Sequence, residues 1–113
     1  MLRRTAASAV PSQADVLRFP DLAINPRTRT VEVRGRAVDI TAREFDLLHV
    51  LASRPGQVFT RDQLMNDVWD YTYAGDASTV TVHIRRLRAK VEQDPARPKY
   101  LKTVWGVGHK FEA

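Results

Sequence analysis

The chain has 113 residues, 43% of them apolar, which is enough for one domain with a real hydrophobic core. It has no cysteine, excluding a disulfide framework or thiolate metal site, and its short apolar runs exclude a membrane-spanning helix. A net charge of +5 and a pI near 10.1 suit a polyanionic partner.

Residues 1–14 are small, polar and aperiodic, with Pro11 as a breaker, and read as a flexible linker or tail before one domain over 15–113. The opening Met1-Leu2-Arg3-Arg4 is charged like a signal peptide, but no apolar stretch follows it, so a cytoplasmic location is expected. From Val16 to Ile40 the apolar residues alternate: Leu17/Phe19, Leu22/Ile24, Val31/Val33 and Val38/Ile40. That period predicts a small antiparallel sheet of three or four strands, with turns at Asn25-Pro26 and Arg34-Gly35-Arg36.

At Thr41 the period changes. Thr41 and Glu44 form a capping box, and Phe45, Leu48, Leu51 and Ala52 make one helical face, ended by Ser53-Arg54-Pro55-Gly56. A second box, Thr60 with Gln63, opens a helix buried through Leu64, Val68 and Trp69. A loop over Asp70 to Gly75 precedes a third helix, capped by Asp76 or Ser78. Tyr100–Val104 and His109–Phe111 then read as a hairpin with Gly106 and Gly108 in its turn.

The third helix, about 78–91, carries Arg85, Arg86, Arg88 and Lys90 and no acidic residue. At about 100° per residue, Val80, Ile84, Leu87 and Val91 form a narrow stripe for the core. Ser78, Thr81, Arg85, Arg88 and Ala89 lie opposite, with Val82 at the edge, while Thr79, His83, Arg86 and Lys90 occupy a flank. Arg beside small residues suits reading guanine edges and thymine methyls in a major groove, and a cationic flank suits phosphates. A solvated basic face is the plainer alternative. Lys99, Lys102 and Lys110 add cations around the hairpin, where Trp105 is either a groove contact or a packing residue.

Four segments resemble the winged-helix effector domain of OmpR/PhoB-type response regulators: TAREFDLL from Thr41, RPGQVFTR from Arg54, TVTVHIRRLR from Thr79 and TVWGVG from Thr103. The resemblance covers about residues 16–112 and implies an α+β winged helix-turn-helix. Its parts are an N-terminal antiparallel four-stranded sheet, a three-helix core and a C-terminal β-hairpin wing over 100–112. It also implies sequence-specific binding of double-stranded DNA at direct repeats as a tandem dimer, controlled by an upstream receiver domain and a histidine kinase. Leu2-Arg3-Arg4 resembles the end of a receiver's last helix, so such a domain is expected to precede this one.

With the helix projection, the resemblance makes Thr81, Val82, Arg85 and Arg88 the expected base-facing residues. Ser78, Thr79, His83, Arg86 and Lys90 are expected at the backbone, and Lys102, Thr103, Trp105, Gly106 and Lys110 form the wing. Asp70, Tyr71, Tyr73 and Asp76 match a loop that contacts RNA polymerase in the family, although a plain surface loop would look the same. Ser78 and Thr81 stand where Arg and Asp are common. Trp105 and His109 replace a frequent wing Arg and Tyr, so Trp105 would contact sugars or pack.

No enzyme is expected: His49, His83 and His109 are scattered, and neither a nucleophile with its base nor a Gly-rich phosphate loop is present. No cofactor or metal is called for. RNA is disfavoured because the basic face has no aromatic on which to stack bases. A winged helix used only for protein contacts, or a stand-alone DNA binder without receiver control, stays open.

Overall fold

The structure, a computed structural model, describes residues 16–69 and 78–113. The proposed linker, the loop with Asp70, Tyr71 and Tyr73, and the possible cap Asp76 lie outside the described residues.

Strands β1 (Leu17–Phe19), β2 (Leu22–Asn25), β3 (Thr30–Val33) and β4 (Arg36–Val38) form an antiparallel meander in sequential order. Leu22 pairs with Val33 and Ile24 with Val31, so alternation sends all four to one buried face while Ala23 and Glu32 point away. The turns follow from local chemistry. Asn25 Oδ1 accepts from the Arg27 and Thr28 amides. Arg34 and Gly35 both have positive φ (51° and 79°), as a two-residue hairpin loop with the twist of its strands requires. Ile40, expected in the fourth strand, falls beyond it but still packs on the core.

Helix α1 (Ala42–Ala52) and helix α2 (Arg61–Val68) both open on complete capping boxes. In the first, the Glu44 amide donates to Thr41 Oγ1 at 3.2 Å and the Thr41 amide to Glu44 Oε1 at 3.0 Å. The buried face of α1 is wider than the periodicity implies, because Leu47 and Glu44 join Phe45, Leu48, Leu51 and Ala52 inside. An amphipathic stripe faces one neighbour, whereas α1 packs against both other helices and the last strand.

Helix α3 (Ser78–Val91) buries Val80, Ile84, Leu87 and Val91 to 0–1% exposure, the stripe that its spacing predicts. Strand β6 (Leu101–Val104) and strand β7 (Gly108–Phe111) follow as the hairpin. A two-residue strand, β5 (Phe59–Thr60), pairs with β7, so the hairpin belongs to a three-stranded sheet of order β5-β7-β6. Two residues carry too little alternation to be seen in sequence.

This pairing changes the meaning of Gly108, which is the first residue of β7 and not part of the turn. A Cβ there would lie 1.9 Å from the carbonyl oxygen of Phe59. The two sheets meet through aromatic rings: Phe19 lies 4.8 Å from Phe111 and 6.1 Å from Tyr100, and Tyr100 stacks on Phe111 at 5.4 Å. The Asp21 amide donates to the Tyr100 hydroxyl at 3.1 Å, satisfying its polar end.

Candidate nucleic-acid interface

With its apolar stripe in the core, α3 presents Ser78, Val82, Arg85 and Arg86 as exposed residues and Thr79, Thr81 and His83 as half-buried ones. Among the described residues, neither Arg85 nor Arg86 makes an ion pair or hydrogen bond, so both guanidinium groups are available to a ligand. Arg85, Thr81 and Arg61, the first residue of α2, line a cleft of about 260 Å³ between α3 and the wing. Arg61 ends the RPGQVFTR segment but had no expected site role; only the packing of α2 beside α3 brings it there.

Arg88, expected beside Arg85 as a base reader, is bonded to the wing. Its Nε donates to the Leu101 carbonyl at 3.0 Å and its terminal nitrogen to Thr103 Oγ1 at 2.6 Å. Burial lowers its pKa, partly offset by the charge of Glu92, and the group stays cationic. One turn later, the buried Glu92 carboxylate accepts from the amides of Lys99 (2.8 Å), Tyr100 (3.0 Å) and Leu101 (2.8 Å). Arg88 and Glu92 therefore hold the carbonyl and the amide of Leu101 together, fixing β6 against the end of α3.

Glu92 was not among the expected functional residues, yet a signal existed. An acid at a helix C-terminus is disfavoured by the helix dipole and needs another reason to be there. Arg88 lies about 70° from the centre of the core stripe, at the edge of the dry face, where projection alone cannot show a neighbouring strand.

Lys90, expected at the DNA backbone, has a partner within the fold. Its Nζ lies 2.5 Å from Oε1 of Glu44, whose side chain is 2% exposed. Burial raises the Glu44 pKa, but the Lys90 hydrogen bond, the Thr41 amide and the Lys90 charge outweigh it, leaving the carboxyl below its ordinary value. Lys90→Met is expected to cost about 1–2 kcal/mol in urea unfolding, since Glu44 keeps its capping bonds. The salt dependence of DNA binding should not change; a shallower slope would return Lys90 to the phosphates.

His83 also has a local partner. Its Nδ1 donates to the Thr79 carbonyl at 2.8 Å and its ring meets Trp69 edge to face at 4.9 Å.

In the wing, Lys102 and Lys110 face each other across the hairpin and share Glu112, at 4.0 and 2.8 Å. The hydrogen bond and charge of Lys110 hold Glu112 below its ordinary pKa. These two cations are thus partly neutralised, unlike Arg85 and Arg86. Thr103 is held between Arg88 and His109, whose Nδ1 is 3.2 Å from its hydroxyl. The hydroxyl accepts from Arg88, so its own hydrogen is left for His109 Nδ1.

Trp105, at the turn, is 89% exposed and is not a core residue. Gly106 follows with φ near 80°, and the Val107 amide closes the turn on the Val104 carbonyl at 2.9 Å.

His109 is 4% exposed. Burial first, then the charges of Arg88 and Arg61, lower its pKa from 6.5 to about 4. Between those values the unfolded chain binds a proton that the folded chain refuses. The stability this contributes is complete above pH 6.5, falls as the pH drops toward 4, and is not lost further below that. His109→Phe should flatten the pH dependence of urea midpoints between pH 6.5 and 4; an unchanged slope would place the titration elsewhere. Glu44 acts in a separate window, losing its contribution only below its ordinary value of 4.5.

The family described as "Transcriptional regulatory protein, C terminal" matches residues 35–111. Among solved structures, the chain is similar to the response regulator DrrB of Thermotoga maritima, an OmpR/PhoB homologue, with TM-score 0.83 and 29% identity. That match covers all of this chain and 55% of DrrB, so the chain spans little more than half of that regulator. The RstA DNA-binding domain of Klebsiella pneumoniae, solved in complex with the RstA box, has TM-score 0.77 and 35% identity over 86% of this chain and 96% of its own. The DNA-binding domain of CpxR from E. coli has TM-score 0.75 and 28% identity over 87% and 96%. This chain belongs to the family of C-terminal domains of OmpR/PhoB-type transcriptional regulatory proteins.

Proposed function

We propose that the domain binds double-stranded DNA sequence-specifically, with α3 in the major groove and the wing near the adjacent backbone or minor groove. The carrying observation is the split of α3: four apolar residues are buried to 0–1% while Arg85 and Arg86 stand exposed and unpaired among the described residues. Similar domains from RstA and AdeR were solved with the RstA box and with an intercistronic region. In this reading Thr81, Val82 and Arg85 meet base edges, and Ser78, Thr79, His83 and Arg86 lie beside phosphates. Arg61, Arg85 and Arg88 converge on the cleft, a concentration of positive charge that suits the phosphate ridge between the two grooves.

The domain acts in the cytoplasm as the effector of a two-component regulator, joined by residues 1–14 to a receiver that a histidine kinase controls. It binds direct repeats as a tandem dimer, and residues 70–76 meet RNA polymerase. It carries no catalytic activity of its own.

The primary test is binding to random duplex DNA as salt rises. Affinity should fall steeply through counterion release; no binding at low salt would favour a module for protein contacts alone. Two variants then separate the roles on α3. Arg85→Ala should cost about 1–3 kcal/mol on the selected site and relax one base preference. Equal losses on selected and random DNA would refute base reading. Arg86→Ala should weaken binding to all sequences and lower the salt slope by roughly one; an unchanged slope would show that it meets no phosphate.

A further inference from the structure

We infer that Trp105, supported by Val107, is an apolar wedge that enters the minor groove beside the segment read by α3, and that it favours a deformable pyrimidine–purine step there. The inference rests on the DNA-binding reading above.

Three large apolar residues are exposed among those described: Trp105 (89%), Val107 (50%) and Val82 (40%). Two form the wing tip and the third lies on the outer part of α3. Elsewhere the described chain gathers its large apolar side chains into or against one core. The fold therefore leaves its indole in water at a cost that burial in the core would remove. The turn holds it there: the Val107 amide bonds to the Val104 carbonyl, and Gly106 takes the positive φ that follows Trp105. Trp105 thus occupies the first corner of a closed turn.

The tip is neutral between cationic neighbours. Arg61 and Arg85 line the cleft beside Trp105, while Lys102 and Lys110 further down the hairpin are paired with Glu112. A partner must then offer anions at its rim and apolar surface between them. The minor groove, about 6 Å wide, has phosphates along both edges and sugars and base edges within. An anionic bilayer combines the same chemistries but is flat. The cleft between α3 and the tip fits a ridge, as a phosphate backbone flanked by two grooves provides. Apolar side chains inserted in a minor groove unstack a base step, and pyrimidine–purine steps yield most readily.

The test uses the 113-residue chain and a duplex that it selects from a random pool. Trp69 is buried at 4% exposure, so the difference between the native chain and Trp105→Phe isolates the emission of Trp105. On the duplex, acrylamide quenching of Trp105 should fall severalfold. Trp105→Ala should weaken binding roughly 5- to 150-fold with an unchanged salt slope, because no counterion is released. Trp105→Arg should raise the slope by about one. Replacing the step beneath the tip with an A-tract should weaken the native chain more than Trp105→Ala.

A DNA complex in which Trp105 stays as open to quencher as in the free protein overturns the inference and leaves DNA binding intact. Shielding by phosphatidylglycerol vesicles or by self-association, with Trp105→Ala binding DNA normally, assigns the tip to another partner and also overturns it. Failure of the native chain to bind any duplex removes the DNA-binding reading itself.

Discussion

Gly108→Ala is expected to lower stability by about 3 kcal/mol, at the upper end for overpacking, and the melting temperature by roughly 10–20 °C. The added methyl would sit 1.9 Å from the Phe59 carbonyl oxygen and 2.8 Å from the Thr60 Cα, both backbone atoms, so no side-chain rotation relieves it. Relief requires β5 and β7 to separate, breaking the Thr60–Gly108 register that ties the start of α2 to the wing. DNA binding should weaken even at temperatures where the variant is fully folded, because the wing is no longer held beside α3. Gly106→Ala is the control: open space surrounds its Cβ, so only the strain of its positive φ is added. Equal melting temperatures for Gly108→Ala and the native chain would show that the β5–β7 approach is looser than the structure has it.

The second large effect is expected at Glu92. Its carboxylate supplies the acceptor for the amides of Lys99, Tyr100 and Leu101, and it is buried. Truncation leaves several donors without a partner where water has little access, at about 1–3 kcal/mol for each buried one. Glu92→Ala should therefore cost about 3–5 kcal/mol in urea unfolding. Glu92→Gln preserves the volume but brings an NH2 donor against N–H donors, so it should recover little. Hydrogen exchange gives the local readout: protection of the Tyr100 and Leu101 amides should be lost beyond the fall in global stability. Protection that falls only with global stability would mean that these amides find other acceptors. Arg88 holds the carbonyl of Leu101, the residue whose amide Glu92 holds. The two substitutions should thus be non-additive, as expected for neighbours gripping one residue.

Both effects concern how the wing is held to the helices, and in neither case could the partner be named from the residues taken one segment at a time. Periodicity reports which face of an element is dry. It correctly separates Val80, Ile84, Leu87 and Val91 from Arg85 and Arg86. It cannot report that β6 runs past α3 at the angle where Arg88 emerges, or that Glu44 sits where Lys90 can reach it across 46 positions. A cation placed by projection on a solvent face has then found a partner from distant sequence. For Trp105 the ambiguity had a different origin. An indole is large enough for a core and amphipathic enough for a surface, and only the position of the closed turn puts it in water.

The sequence by itself determined the elements and their order, apart from the two-residue β5. Alternation made the four-stranded meander, two capping boxes set the starts of α1 and α2, and a dry stripe set the inward face of α3. These are local effects, settled by side-chain period and by backbone groups that need partners within a few residues. The tertiary structure alone decided which cations remain available. Arg85 and Arg86 stay free among the described residues, Arg88 and Lys90 are spent on holding the fold, and Lys102 and Lys110 share Glu112. The physical reason is that a charge near the surface takes the strongest partner within reach, and that reach is set by how helices and strands cross.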